Sequence, residues 1–320
     1  MKKFIVSCVL LTTTLFANEN LISIYENILL KNSKQTINDI QIIEQNIEKE
    51  EVSQLTSSFK NLVKSWKSVE AFYVLGDLDD SYLDTPRYID MFHQGNEDIT
   101  AQLDLIIKNN DDLSISLYKN SHKTINALEY ILFTKDLSNQ RVKDIALIIA
   151  KTLESNFQEI YDGYVTTKDS FINDEVTANA MMLNSLIENS YKIKEWRVGD
   201  PAGLSRKFRD KPANDRAEYR LSRNSVVAIE SILQTHLTIL DTQKYKNFGS
   251  MITSYNVKEE LEDAIKYLHT SVKYAKDIQN DDFSESKRLY KSLSRLHATY
   301  YISLIGELKI TAKILDADGD

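Results

Sequence analysis

Cysteine is nearly absent from this sequence: one residue in 320, Cys8, inside the first apolar stretch. A chain matured beyond that stretch has no thiol, which excludes a disulfide framework and a thiolate nucleophile. Proline and glycine are also scarce, at three and eight. Sheets joined by many tight turns need more of both, so long helices are expected. Positive charge is in deficit, with 39 Lys and Arg against 47 Asp and Glu. Such a surface repels phosphate backbones, and no basic stripe with interleaved aromatics relieves it, so nucleic acid is not an expected partner. Beyond the N-terminus no apolar run reaches the roughly 18 residues of a membrane-spanning helix. A nucleophile elbow, a phosphate loop and a paired-histidine zinc helix are likewise missing.

What is present begins with an export signal. Lys2 and Lys3 precede the apolar stretch Phe4 to Leu15, and Ala17 supplies the small residue at the cleavage point. Residues 5–8 look like a lipoprotein box, but too few apolar residues precede Cys8. Cleavage after Ala17 is expected, leaving a chain that starts at Asn18 in the periplasm or cell envelope. Losing Lys2 and Lys3 takes the formal charge from −8 to −10. An acidic surface can attract cations, although simple solvation is its commoner meaning.

Apolar residues recur at helical spacing through most of the chain, as in Val142, Ile145, Ile149, Leu153, Phe157 and Ile160. The rhythm predicts helices near 19–32, 36–48, 52–75, 87–108, 112–135, 139–166, 171–197, 214–241, 257–279 and 283–313. Strand alternation is sustained nowhere. Breaks fall at Gly76 to Pro86 and at Gly199 to Pro212, the latter with two of the three prolines. The reading is an all-α protein: a signal peptide over 1–17, an N-terminal helical bundle over 18–168 and a C-terminal one over 169–320.

Several polar residues fall on apolar helix faces. Phe59, Leu62, Val63, Trp66, Val69 and Tyr73 share an arc, and Glu70 lies inside it. Glu129 lies between Ile125 and Phe133, with Asn126 at the edge of that face. Glu218, Ser222 and Ser225 point with Leu221, Ala228, Ile229 and Ile232. A buried carboxylate must be protonated, hydrogen-bonded, ion-paired or bound to a metal, because an isolated one costs several kcal/mol. Pairing with Arg or Tyr is the commoner solution for any single glutamate. Three on three helices weigh towards a site, since bundles build sites from inward carboxylates. His297 and His236 sit on apolar arcs and His93 at the margin of one, where a lone histidine is usually a core residue.

These residues resemble the imelysin family. The stretch from Trp66 through Glu70 to Gly76 is similar to the family's tryptophan–glutamate helix. Thr124 to Phe133 resembles its G-x-H-x-x-E stretch, Arg197 to Pro201 its glycine–proline loop, and Glu218 to Ser225 its E-S-x-x-S-x-N-S segment. Asp316 to Asp320 matches the usual D-G-D ending. These anchors keep the family's order over nearly the whole chain. The resemblance implies two helical bundles, each like a four-helix bundle, packed around an interdomain site, together with an envelope location and an association with iron uptake or metal binding; some members have been described as metallopeptidases. One departure matters: Thr124 stands for the motif's glycine and Asn126 for its histidine, while Glu129 is kept.

The expected site therefore comprises Glu70, Asn126, Glu129, Glu218, Ser222 and Ser225, with Trp66, His93, Arg197 and His297 as secondary members. The expected ligand is a divalent metal, iron or zinc, or another small molecule. An envelope iron-uptake component is the expected partner. A zinc peptidase needs about three protein ligands and an open water position. With the motif histidine gone, a non-catalytic binding protein is the favoured reading. A metallopeptidase and a scaffold with a vestigial cavity are its alternatives.

Overall fold

The protein is described here by a computed structural model that covers residues 19–95 and 97–313. The expected signal segment, Cys8 and the D-G-D ending lie outside the described residues. Every regular element among the described residues is helical. A π-helical turn, Tyr25–Leu30, leads into α1 (Lys31–Glu48), followed by α2 (Val52–Glu70), α3 (Ile99–Lys108), α4 (Ile125–Thr134) and α5 (Gln140–Ile172). The chain continues through α6 (Glu175–Lys192), α7 (Ser225–Leu240), α8 (Phe248–Ser254), α9 (Lys258–Lys276) and α10 (Lys287–Ala298). Helices α1, α2, α4 and α5 pack together in the N-terminal half, and α6, α7, α9 and α10 in the C-terminal half. Helix α2 also packs against α7, so the helix that carries Trp66 and Glu70 faces both halves.

Short polar side chains start many of these helices by accepting the free N–H groups of the first turn. Asp98 caps α3 through Ala101, Thr124 caps α4 through Ala127, Asn139 caps α5 through Arg141, and Asp174 caps α6 through Thr177. The long α5 passes through the expected seam and ends at Ile172. It lies close to the N-terminal loops because Gly163 has no side chain there: a Cβ would stand 2.7 Å from Leu75 Cδ2.

Five expected helices differ from what forms. The first two merge across residue 33, where Ser33 bonds back to Leu29 O at 2.8 Å and the helix continues. The helix expected over 87–108 is broken because His93 and Gly95 adopt left-handed backbone, φ 62° and 72°. The one expected over 112–135 is interrupted at Thr124, whose extended backbone makes it a cap. The one expected over 214–241 starts only at Ser225, since Tyr219 and Arg223 are left-handed at φ 51° and 57°. Glu218 and Ser222 are therefore turn residues. Near the other break, Pro201 sits in the first turn of a short helix, where its missing N–H costs nothing, and Gly203, φ 67°, ends it.

Candidate functional site

The α2 helix ends on a buried charge cluster. Trp66 is 0% exposed and its indole Nε1 donates to Asp90 Oδ2 at 3.1 Å. Lys67, the next residue, is also 0% exposed. Its Nζ lies 2.7 Å from an oxygen of each of three carboxylates: Glu70, Asp90 and Glu218. Tyr219 donates its hydroxyl to Asp90 Oδ2 at 2.7 Å, and the Phe92 N–H donates to Asp90 Oδ1 at 2.9 Å. From the C-terminal half, Arg197 forks onto Glu218 with Nε at 2.7 Å and Nη2 at 3.2 Å. The same Nη2 reaches both oxygens of Glu70 at 3.0 Å. Arg197 arrives on a π-helical turn, Ile193–Gly199, that widens the end of α6. Such turns insert a residue and re-aim the side chains that follow.

Electrostatics divides these groups. Burial pulls the Lys67 ammonium down, yet Asp90, Glu218 and Glu70 together hold its pKa above the ordinary lysine value. Burial pushes Asp90 up, but Lys67, Tyr219 and the Phe92 amide outweigh it and leave the carboxyl well below the usual range. Glu70 is also lowered, Arg197 and Lys67 overcoming its burial. Glu218 is pushed up by burial despite the same two cations, because Asp90 and Glu70 repel it as well. Just beyond the cluster, Glu129 is raised to about 7 by burial, with Glu218 and Asp90 adding to the rise.

The structure brings Glu70, Glu218, Trp66 and Arg197 into one network, with Glu129 beside it. Glu129 Oε1 accepts both the N–H and the Oγ–H of Ser222, at 2.8 and 2.7 Å, and so joins the two halves. Asn126 Oδ1 accepts the Met91 N–H at 2.7 Å, which holds the segment leading out of Asp90. His93 bonds Asp200 at 2.8 Å and stacks on Trp196 with ring centres 4.3 Å apart. Ser225 is not part of the cluster: its N–H donates to Asp281 Oδ2 at 2.8 Å, where that carboxylate caps α7. His297 is also elsewhere, 2.9 Å from Ser190 Oγ and stacked on Tyr301. The sequence reading missed Lys67, Asp90 and Tyr219. Lys67 had a signal, since it falls four residues after Val63 and three before Glu70 on the apolar arc. Asp90 and Tyr219 had none, because Asp90 is an extended residue that ends a short helix and Tyr219 is left-handed in a turn, so neither has a helical periodicity to read.

The divalent metal implied by the resemblance can be tested against this geometry. Glu70, Asp90 and Glu218 offer oxygens that all lie within 4.8 Å of one another. A hard divalent ion takes oxygen ligands at about 2.0–2.6 Å, so its place among them is the place of the Lys67 Nζ. All five histidines are engaged away from these oxygens: His93 with Asp200, His122 with Gln102, His236 with Tyr300, His269 with Asp241 and His297 with Ser190. With Lys67 in place, these residues do not fit a resident metal.

The fold has relatives of known structure. An imelysin-like protein from Psychrobacter arcticus 273-4 superposes with a TM-score of 0.76 at 15% identity, covering 94% of this chain and 98% of its own. A protein from Parabacteroides distasonis ATCC 8503, provisionally described as an iron-regulated protein A precursor, superposes with a TM-score of 0.70 at 13% identity, covering 92% and 94%. At such identities the likeness is one of fold. Comparison with curated protein sequences gives no significant match. The family model described as imelysin matches residues 22–299, most of the chain, and together with the ordered motifs and the shared fold it means that this chain belongs to the imelysin family.

Proposed function

We propose that this imelysin-family chain is a non-catalytic protein of the cell envelope that acts in iron-associated uptake by binding a partner or a small ligand. One observation carries the non-catalytic reading: the Lys67 ammonium and the Arg197 guanidinium take up the three clustered carboxylates. A hydrolytic metal would need those oxygens, an imidazole and an open water position. Asn126, at the place of the motif histidine, has its carbonyl committed to a backbone amide. The link to iron is supported by family membership and by the description of the Parabacteroides protein, and the envelope location by the signal read at residues 1–17.

Protein purified from an envelope fraction should cleave no peptide above a buffer blank, with or without added zinc, and elemental analysis should find well under one metal per chain. Turnover that depends on zinc would overturn the reading. Its intact mass should correspond to a chain starting at Asn18, whereas a lipid adduct on Cys8 would overturn the proposed cleavage. A strain lacking the gene should grow more slowly under iron chelation and recover when iron is restored.

A further inference from the structure

The Lys67 ammonium lies at the centre of a cage that would otherwise be electrically untenable. Three carboxylates crowd within 4.8 Å, two of them at most 5% exposed as side chains. Buried like charges at this spacing need a cation among them. Each carboxylate of the cage is also held by groups other than Lys67. Asp90 is oriented by Trp66, Tyr219 and the Phe92 amide, while Glu70 and Glu218 are oriented by Arg197. Such outer partners are what aim ligand oxygens in metal sites. Removing the lysine charge would leave three carboxylates facing one guanidinium, a deficit of two charges.

We infer that Lys67 is the resident cation of the site, and that its ammonium masks an oxygen-lined cage that takes a divalent cation once the ammonium is removed. The inference rests on the reading above that the parent protein holds no metal at this centre. All three donors are carboxylates, so the ion favoured is a hard one such as Mn²⁺, Ca²⁺ or Mg²⁺ rather than a thiolate- or imidazole-seeking one. The ammonium–oxygen distance of 2.7 Å exceeds the metal–oxygen distance by a few tenths of an ångström. A small inward movement of three side chains closes that gap.

The test uses Mn²⁺ as probe, read by electron paramagnetic resonance and titration calorimetry on the parent, Lys67→Met, and Lys67→Met combined with Asp90→Asn. Methionine keeps the aliphatic stem and removes the charge. Lys67→Met should bind one Mn²⁺ at least about tenfold tighter than the parent, and the added Asp90→Asn change should reverse most of that gain. A folded Lys67→Met that binds no better than the parent overturns the inference alone. A parent that binds Mn²⁺ as tightly as Lys67→Met, while the double variant binds it weakly, overturns the metal-free premise as well. If Lys67→Met is unfolded without metal, far-ultraviolet circular dichroism decides: refolding on adding Mn²⁺ supports the inference, and no refolding overturns it.

Discussion

Buried polar groups meet opposite fates in two regions of this molecule. At the junction of the halves, Lys67 and Arg197 stay charged in full burial because Lys67 faces three carboxylates and Arg197 two, at 2.7–3.2 Å. Inside the C-terminal half, His236 is equally buried but has the Tyr300 hydroxyl at 3.3 Å and no carboxylate bonded to it. Burial alone governs its titration and pulls its pKa to about 3, so the ring is neutral. Burial penalises charge in both places, and the partner set decides whether charge survives. The junction is therefore held by ion pairs whose single members cannot be removed cheaply. In the C-terminal core His236 sits as a neutral ring among packed side chains.

The sharpest way to break this contrast is Arg197→Met, which strands Glu70 and Glu218 against Lys67 alone. It should cost about 3–5 kcal/mol in urea unfolding, the usual penalty for one member of a buried ionic set. A loss below about 1 kcal/mol would mean that the junction is not an ionic lock. His236→Phe probes the other side through pH. The unfolded imidazole titrates near 6.5, whereas the folded one resists protonation until about 3. The unfolded state thus binds more protons across that window, and the stability this residue allows is lost as pH falls from 6.5. The parent should lose about 2 kcal/mol more than His236→Phe between pH 7 and pH 5, and parallel profiles would contradict the neutral ring.

Glu129 has the opposite sign. Its folded pKa is raised from 4.5 to about 7, so the folded state holds a proton that the unfolded state releases first. Stability falls as pH rises through that interval, and Glu129→Gln should flatten the fall and be about 1 kcal/mol more stable than the parent at pH 8. The smallest effect is expected at Ser225→Ala. The Ser225 hydroxyl has no hydrogen-bond partner and its amide keeps Asp281, so melting should shift by no more than about 0.5 kcal/mol of stability. A larger loss would tie Ser225 to the junction after all.

The helix starts at Asp98, Thr124 and Asp174 were not legible, since each of these caps lies inside an expected helix, but many helix positions were, because amphipathic period is a local property. Glu70 and Glu129 could be singled out for the same reason, as acids on apolar arcs. Glu218 was singled out by a wheel that does not apply to it, since left-handed backbone at Tyr219 and Arg223 carries it in on a turn. Lys67 could have been read from the arc of Glu70, but a lysine stem packs well enough on apolar surface to pass for a helix margin.

By itself, the sequence determined an all-helical chain, its family, and which helix faces carry charge towards the interior. Tertiary structure alone decided that the third carboxylate is Asp90 and that Lys67 and Arg197 are the cations that reach these carboxylates. Helical period is set by bonds four residues apart, whereas Glu70 and Arg197 meet across 127 positions of sequence and Asp90 and Tyr219 across 129. Charges that cancel over such separations leave no pattern in the chain, because what pairs them is the packing of the two halves.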